Sequence, residues 1–331
     1  KEIQRALKKK KGSNLIYFGP GVHNLPNDTL FVPSGTTVYI DGGARVYGNI
    51  FTEGAHDVNI FGRGEVHPDG RGAGVWVRRS KNVRIDGIVV SQLPIGQCDS
   101  VELTNVKSIS YYGWGDGMDV FSSSNVILDG VFCRNSDDCA AVYASTQGFK
   151  GGSNNVLVKN ATLWADVAHP INIGGHGDPN GMDTVQNVTF RNIDILDQAE
   201  KQVDYQGCLA INPGDNTLVR NITFENIRIE DFRNGQLVNF RISFNPKYCV
   251  STGRGIQNVL VKDVTYNGSG ENLSIIAGYD ENHKISGIRF VNLVVNGRKI
   301  TDDMPGKPKW YKTGDMAGIF VGEHVENLSF E

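Results

Sequence analysis

The chain has 331 residues, of which 39% are hydrophobic and 21% are charged, and its net charge is -3. This length is enough to bury a large core, and the slightly acidic balance makes nucleic acid an unexpected partner. No apolar run is long enough to cross a bilayer, so membrane insertion is not expected. The five cysteines lack CxxC spacing, which indicates neither a zinc site nor a fully paired disulfide framework.

The first predicted element is a short helix over residues 1–12. Ile3, Ala6 and Leu7 lie on one face of this helix at helical spacing. Repeat folds need a terminal cap over their open core, and we interpret this helix as that cap. The chain begins at Lys1 with neither Met nor a signal segment, as expected for a trimmed product.

A short phrase then recurs along most of the chain: a polar residue or Asn, then Val or Ile, then an alternating pair closed by Asp, Asn or Gly. It occupies residues 37–41, 57–62, 82–87, 105–109, 125–130, 155–160, 187–192, 221–226, 258–263 and 287–292. The period-two alternation of Val, Ile and Phe between turn-forming residues predicts strands. Subtraction of residue numbers gives 20 to 37 positions between successive lead residues, which is typical of one turn of a solenoid.

These repeats predict an all-β fold, a right-handed parallel β-helix of about ten coils, forming a single domain over residues 1–331. Neighbouring coils would pair in parallel about 4.8 Å apart, so that inward Val, Ile, Leu and Phe side chains form one continuous core. A leucine-rich repeat is the structural alternative. It is disfavoured because Leu does not dominate the phrase and no helix alternates with the strands.

Three segments in the middle of the chain depart from ordinary turn chemistry. They contain Asp116, the consecutive pair Asp137 and Asp138, and His169. Similar offsets from the repeat phrase predict that Asp116, Asp137 and His169 form one row on successive coils, about 5 Å apart. Asp119 is three residues from Asp116, so strand alternation predicts that its side chain points elsewhere and is structural.

Crowding of Asp116, Asp137 and Asp138 is expected to raise the pKa of at least one of them through repulsion between like charges. Glycoside hydrolysis needs such a set, with a protonated acid for the leaving oxygen and an ionised base for the water. The alternative is a structural Asp and Asn ladder at the turns of the β-helix. Catalysis is the preferred interpretation, because clustered carboxylates are costly without a purpose.

These residues carry a family resemblance. The string Asp-Gly-Met-Asp-Val at 116–120, the Asp-Asp-Cys string at 137–139 and His169 before Ile-Asn-Ile-Gly resemble the polygalacturonase clan of parallel β-helix hydrolases, glycoside hydrolase family 28. The resemblance implies that Asp137 is the general acid and that Asp116 and Asp138 hold and activate water in a single inverting displacement. His169 would support the acid or the sugar.

We therefore expect an enzyme that hydrolyses an α-linked polysaccharide or oligosaccharide. Three carboxylates with separate acid and base duties need no cofactor, and no metal ion is expected. A secreted or periplasmic monomer is the expected form of the protein.

One motif of that family is missing. Its members carry an Arg-x-Lys that grips the galacturonate carboxylate, and this chain has Ala210 and Asn212 at those positions. A uronate without its charged partners loses much of its binding. A neutral α-glycan such as dextran or pullulan is therefore the predicted substrate, with a polygalacturonase-like pectin hydrolase as the alternative.

The sister family 49, of dextranases and isopullulanase, resembles the chain in further details. The segments 161–164, 169–174 and 237–242 are similar to three strands of that family. The chain departs from it in having His169 where that family has an Asp.

Several further side chains are candidates for contact with the sugar. An aromatic face packs well against a pyranose ring, and polar or cationic groups supply hydrogen bonds. The candidates are Trp114, Trp164, Tyr143, His176, Arg241 and Lys247. The alternative roles are filling of the coil for the aromatic residues and a structural salt bridge for Arg241.

Two other functional classes stay open. A polysaccharide lyase on the same fold needs calcium or a cationic neutraliser, and Asp137 and Asp138 offer oxygen ligands that suit calcium. The central row contains no cation, which disfavours a lyase. A non-catalytic, carbohydrate-binding β-helix is also compatible with the sequence, the Asp cluster then being only a ladder.

Overall fold

The structure is a computed structural model that describes residues 14–269 and 272–331. The cap helix predicted over residues 1–12 lies outside the described residues. That helix and the single domain over residues 1–331 stay predictions. Within the described residues, no helix is long and apolar enough to span a membrane.

The described chain is almost entirely β-structure. The strands of its N-terminal part are β1 (Leu15–Phe18), β2 (Gly21–Phe31), β3 (Thr37–Ile40), β4 (Ala44–Glu53), β5 (His56–Gly62), β6 (Glu65–His67), β7 (Val75–Arg78), β8 (Lys81–Asp86), β9 (Val89–Val90), β10 (Ile95–Gly96), β11 (Asp99–Thr104), β12 (Lys107–Ile109), β13 (Val120–Phe121), β14 (Ser124–Asp129), β15 (Phe132–Asn135) and β16 (Ala140–Tyr143). The remaining strands are β17 (Ser153–Ala165), β18 (Ile171–Ile173), β19 (Thr184–Asp197), β20 (Leu209–Ile211), β21 (Leu218–Ile229), β22 (Val238–Arg241), β23 (Gly255–Tyr266), β24 (Ser274–Ala277), β25 (Ile285–Val295), β26 (Arg298–Ile300), β27 (Ile319–Val321) and β28 (Val325–Phe330). The described helices are a 3₁₀ turn at Val203–Tyr205 and α1 (Thr313–Met316).

These strands stack in parallel columns. The first column contains twelve strands, β1, β3, β5, β8, β11, β14, β17, β19, β21, β23, β25 and β28. A second column starts with β2, β4, β6, β9, β12 and β15 and continues in the C-terminal halves of the long strands from β17 onward. A third column contains β7, β10, β13, β16, β18, β20, β22, β24 and β27. The prediction of an all-β, parallel β-helix is therefore confirmed.

The repeat phrase sets the register of the first column. The lead residues of eight phrases stack in the order Val58, Val83, Val126, Val156, Val188, Ile222, Val259 and Ile288, with Val101 between Val83 and Val126. The phrase at 105–109 was therefore placed in the wrong column, because Lys107 begins β12 of the second column. Val38 is also out of register, since it pairs with Ile60.

Asparagine ladders explain that error. Asn155 donates a hydrogen bond to Asn125 at the turn before the first column, with 2.7 Å between Nδ2 and Oδ1. Asn105 donates to Asp86 in a second ladder, before the second column. Asn105, Asn125 and Asn155 have φ between 54° and 57°, a left-handed conformation that Asn tolerates better than most residues. Asn is therefore favoured at both turns, and the repeated sequence phrase does not show which of the two columns follows.

Candidate active site

A cleft of about 510 Å³ lies on the outward face of the third column, where the loops before β13, β16 and β18 meet. The carboxylates of Asp116, Asp137 and Asp138 line it, together with aromatic side chains from several loops. One oxygen from each of these three carboxylates lies within 4.8 Å of the others. The structure therefore brings together the three predicted catalytic residues.

The register of the turns differs from the predicted row in one respect. The amide of Gly117 donates to the carbonyl of Asp138, and the amide of Cys139 donates to the carbonyl of His169. Asp138, and not Asp137, therefore stacks above His169. The prediction that His169 continues the row of Asp116 and Asp137 is wrong by one residue.

Four donors hold the Asp138 carboxylate. Its Oδ1 accepts from the backbone amide of His169 at 3.1 Å and lies 2.7 Å from His169 Nδ1. Its Oδ2 accepts from Tyr143 Oη at 2.5 Å and from Asn172 Nδ2 at 2.9 Å. Burial alone would raise the pKa of Asp138, but His169 and the hydrogen bonds from His169, Tyr143 and Asn172 outweigh burial and lower it. Asp138 is therefore held in its ionised form.

The neighbouring carboxyl group has the opposite preference. Burial, and then the charge of Asp138, raise the pKa of Asp137 to about 7. Burial, followed by the charges of Asp137 and Asp138, also raises the pKa of Asp116 well above its ordinary value. Adjacent carboxyl groups with divergent pKa values are the arrangement that supplies an acid and a base at the same pH.

Asp119 is a fourth carboxyl group in the cleft, which contradicts its predicted placement. Met118 and Val120 are buried in the core, and Asp119 lies between them and lines the cleft. The alternation argument failed because β13 begins only at Val120, so the backbone after Asp116 is a turn. Asp119 is 5% exposed, and burial first, then the charge of Asp116, raise its pKa well above the ordinary value.

Four of the candidate sugar contacts line the cleft and three do not. Trp114, Tyr143, His176 and Lys247 line it, and the indole of Trp114 is 68% exposed. His169 is fully buried, so it positions Asp138 and does not reach a sugar.

Trp164 and Arg241 are also absent from the cleft wall. Trp164 lies on β17 in the second column, paired with Arg134, and the guanidinium of Arg134 covers its ring at 4.2 Å. It therefore belongs to another face of the β-helix. Arg241 ends β22, and its carbonyl accepts a hydrogen bond from Asn212. The chain turns away after Arg241, and the following loop returns Lys247 to the cleft instead.

Three loop residues around Lys247 were not predicted from the sequence: Gln202, Tyr205 and Tyr248. The ring of Tyr205 packs edge-on against His169 at 4.4 Å and stacks on Tyr248 at 4.9 Å. Lys247 Nζ lies 4.7 Å from the centre of the Tyr248 ring and donates to Gln202 Oε1 at 3.1 Å. These residues come from the loops before β20 and after β22, which lie outside the repeat phrase and carry no periodic signal.

The positions of the missing Arg-x-Lys are covered by protein. Ala210 is fully buried, and Asn212 Nδ2 donates to Asn239 Oδ1 at 3.1 Å. Gly207 packs so closely here that a Cβ built on it would lie 3.2 Å from the Cβ of Ala210 and 2.9 Å from that of Asn239. Neither Ala210 nor Asn212 lines the cleft among the described residues.

The fold and the carboxylate cleft define a parallel β-helix glycoside hydrolase. The chain matches the sequence model of "Glycosyl hydrolases family 28" over residues 75–305, and it belongs to that family. This confirms the predicted resemblance to the polygalacturonase clan and the prediction of a glycoside hydrolase. The finer resemblance to family 49 stays a prediction.

Individual relatives are distant. A polygalacturonase of Juniperus ashei is 26% identical over 216 residues, which are 62% of this chain and 39% of that protein. The chain spans about half the length of the curated relatives it matches. A family 28 exopolygalacturonase of Yersinia enterocolitica superposes with a TM-score of 0.69 at 14% identity, covering 98% of this chain and 74% of the other. An endo-xylogalacturonan hydrolase of Aspergillus tubingensis gives 0.60 at 15% identity, covering 88% of both chains. These two structures are similar in fold.

Proposed function

We propose that this chain hydrolyses an α-linked, galacturonate-containing polysaccharide of the pectin type. Membership of family 28 supports the reaction class, and the relatives named as polygalacturonases and xylogalacturonan hydrolases support the substrate class. The prediction of a neutral α-glycan as the substrate lacks such support. The alternative given with it, a polygalacturonase-like pectin hydrolase, is better supported. The observation that carries the reaction is the pairing of Asp137, whose pKa is raised to about 7, with the ionised Asp138.

The proposed chemistry uses one proton shared between Asp116 and Asp137. Their nearest oxygens lie within 4.8 Å of each other, so ionisation of one carboxyl group disfavours ionisation of the other, and we assign the shared proton to Asp137. Protonated Asp137 gives its proton to the leaving glycosidic oxygen as the bond breaks. Ionised Asp116, assisted by Asp138, takes a proton from the water that attacks the anomeric carbon. The permanent charge of Asp138 also stabilises the positive charge that develops on the sugar.

The stereochemical outcome is part of the proposal. Inverting pairs of carboxyl groups are commonly about 6.5–9.5 Å apart and retaining pairs about 5–5.5 Å, and the oxygens here lie within 4.8 Å. The 4.8 Å limit joins the nearest oxygens and not the centres of the carboxyl groups, so it assigns neither retention nor inversion. Asp138, however, has both oxygens engaged by His169, Tyr143 and Asn172, so it is not free to form a glycosyl ester. We therefore retain inversion, which releases the β-anomer.

A single cation is available for the substrate carboxylate. Among the described residues that line the cleft, Lys247 is the one Lys or Arg. Its ammonium group approaches the cleft beside Tyr248 and Gln202, from a loop that follows β22. We assign it the role that the Arg-x-Lys motif has in the family resemblance. A polymeric substrate does not cross a bilayer, so the proposal includes a secreted or periplasmic location for the enzyme.

The test is a substrate panel of polygalacturonate, xylogalacturonan, dextran and pullulan, with new reducing ends measured and the first product's anomer read by proton NMR. Asp137→Asn should lower turnover by about 10²–10⁴-fold, the usual contribution of a general acid, whereas Asp69→Asn at an exposed carboxylate should retain it. Lys247→Gln should weaken cleavage of the uronate polymers. Faster cleavage of a neutral glucan than of both uronate polymers would reject the substrate assignment, and an α-anomer would reject inversion.

A further inference from the structure

The catalytic cleft continues toward the N-terminal coils. A second depression of about 480 Å³ shares Trp114, Asp116, Asp119 and Phe121 with the cleft. The two depressions therefore form one groove. The N-terminal half of that groove is lined in addition by Asn49, Phe51, Arg71, Trp76, Gln92 and Pro94.

We propose that this N-terminal half is a binding site for further sugar units of the same polysaccharide, with Arg71 pairing with the carboxylate of one uronate unit. The inference rests on the proposed function and adds a second cationic position to it. Lys247 would then hold a carboxylate on one side of the catalytic carboxyl groups and Arg71 a carboxylate on the other. Such a groove takes sugar units on both sides of the bond that is cut.

Arg71 stands out by its lack of a protein partner. It is exposed and, among the described residues, forms no hydrogen bond or ion pair. Other arginines of these coils are paired, as Arg78 and Arg79 are with Glu53 and Arg84 is with Glu102. A guanidinium group without a protein partner in a groove is free to form two parallel hydrogen bonds with a ligand carboxylate.

The groove also offers a rigid apolar wall. The rings of Phe51 and Trp76 lie 6.2 Å apart and 5° from parallel, and the guanidinium of Arg78 lies 5.6 Å from the Trp76 ring centre. Neighbours on both coils therefore fix Trp76 in place. The C–H groups of a sugar ring pack favourably against such aromatic surfaces, and a wall that is already ordered loses little entropy on binding.

Hydrogen bonds fix the boundary between the two halves of the groove. Tyr112 Oη donates to the carbonyl of Gly72 at 2.8 Å, and Gln92 Nε2 donates to the carbonyl of Trp114 at 2.9 Å. These bonds tie the loop that carries Asp116 to the coil that carries Arg71. The distance between the proposed site and the catalytic carboxyl groups is therefore set by the fold.

The experiment compares kcat/KM for a series of galacturonate oligosaccharides, from the shortest that is cleaved to long oligomers. In Arg71→Gln and Trp76→Ala we expect the ratio of long to short kcat/KM to fall about tenfold, equivalent to about 1.4 kcal/mol. The Arg71 effect should shrink at high salt. Trp76→Phe, which keeps an aromatic wall, should recover part of the ratio. Matched controls are Arg298→Gln and Trp310→Ala, at exposed residues that line neither half of the groove.

The outcomes separate the two proposals. If the wild-type protein cleaves the series but Arg71→Gln and Trp76→Ala keep the wild-type ratio, the inference is wrong and the proposed function stands. If the wild-type protein cleaves no galacturonate substrate, the proposed function fails and this inference fails with it. Thermal unfolding of each variant identifies loss of folding, and Arg71→Gln, at an exposed residue, keeps the test valid if Trp76→Ala is unfolded.

Discussion

The substitution Asp137→Asn should remove activity and, at alkaline pH, stabilise the folded protein. Asn has the size of Asp, and its carbonyl oxygen can keep the hydrogen bond that Asp137 Oδ1 accepts from the amide of Asp138 at 3.0 Å. The substitution therefore removes the ionisable proton and the charge with little change of shape. A merely structural Asp at a turn would instead lose stability when changed.

The magnitude follows from the pKa of Asp137. Burial, and then the charge of Asp138, raise this pKa from 3.8 to about 7. At 1.36 kcal/mol per pH unit, ionising Asp137 in the folded protein costs about 4 kcal/mol above pH 7. Between about pH 4 and pH 7 Asp137 binds more protons in the folded protein than in the unfolded chain, so its contribution to the free energy of unfolding falls as pH rises. Asp116 and Asp119 titrate with Asp137, so the substitution reduces this slope without abolishing it.

The assay is urea unfolding of the wild-type protein, Asp137→Asn and the control Asp69→Asn at about pH 5 and about pH 8.5. The gain in stability of Asp137→Asn over the wild type should be larger at the higher pH, by about 2–4 kcal/mol. Asp69→Asn should follow the wild type at both values. A variant that is no more stable than the wild type at alkaline pH would show that the Asp137 carboxyl group is not strained by ionisation, and the assignment of the acid would lose its physical basis.

Three further predictions concern the hydrogen bonds and ions of the molecule. Tyr143→Phe removes one donor to the Asp138 carboxylate, worth about 1.5–3 kcal/mol for a bond to a charge. The pKa of Asp138, read by NMR of isotope-labelled carboxyl groups, should therefore rise by about 1–2 units. Tyr112→Phe, whose hydroxyl donates to Gly72, should leave that pKa in place. Asn192 has a φ of 56° and forms hydrogen bonds with ladder neighbours on both sides. Asn192→Ala should therefore lower the free energy of unfolding, measured by urea unfolding, by about 2–3 kcal/mol. Asn192→Gly should lower it by less, because Gly adopts the left-handed conformation without strain. Turnover should survive exhaustive chelation, since both oxygens of Asp138 already accept hydrogen bonds. If chelation abolishes turnover, calcium restores it and the product is unsaturated and absorbs ultraviolet light, the enzyme is a lyase.

The fold was predictable because its signal is local and repeated. The strands of the first column from β5 to β25 each place a Val or Ile at the same inward position, as at Val83, Val126 and Val188. The exact column of Val106 was not predictable, because Asn occupies left-handed turns before two different columns. The same residue chemistry at two turns leaves the register to be decided by packing of the whole coil.

The candidate site was likewise predictable only where it follows from the repeat. Asp116, Asp137 and Asp138 lie on turns next to third-column strands, so their meeting follows from the repeat. The pKa difference between Asp137 and Asp138 does not, because the pKa of Asp138 is lowered first by His169 and then by hydrogen bonds from Tyr143 and Asn172. The shift by one residue that pairs His169 with Asp138 is likewise a property of backbone hydrogen bonds, which the spacing of residues does not specify.

The position of the cation explains why matching residues one by one favoured a neutral substrate, which the comparisons do not support. Outward positions on β20 would carry the Arg-x-Lys, but Gly207 packs directly on Ala210, and the fully buried Gln206 bonds to the carbonyl of Glu200 and to Asn272. The loop before β20 thus occupies the space that two long cationic side chains would need. That loop also supplies Gln202, which holds Lys247 at the cleft. The loop before β20 therefore both covers Ala210 and helps to hold Lys247 at the cleft. An absent motif at one position of a repeat does not exclude a charge that a non-repeating loop brings to the same site.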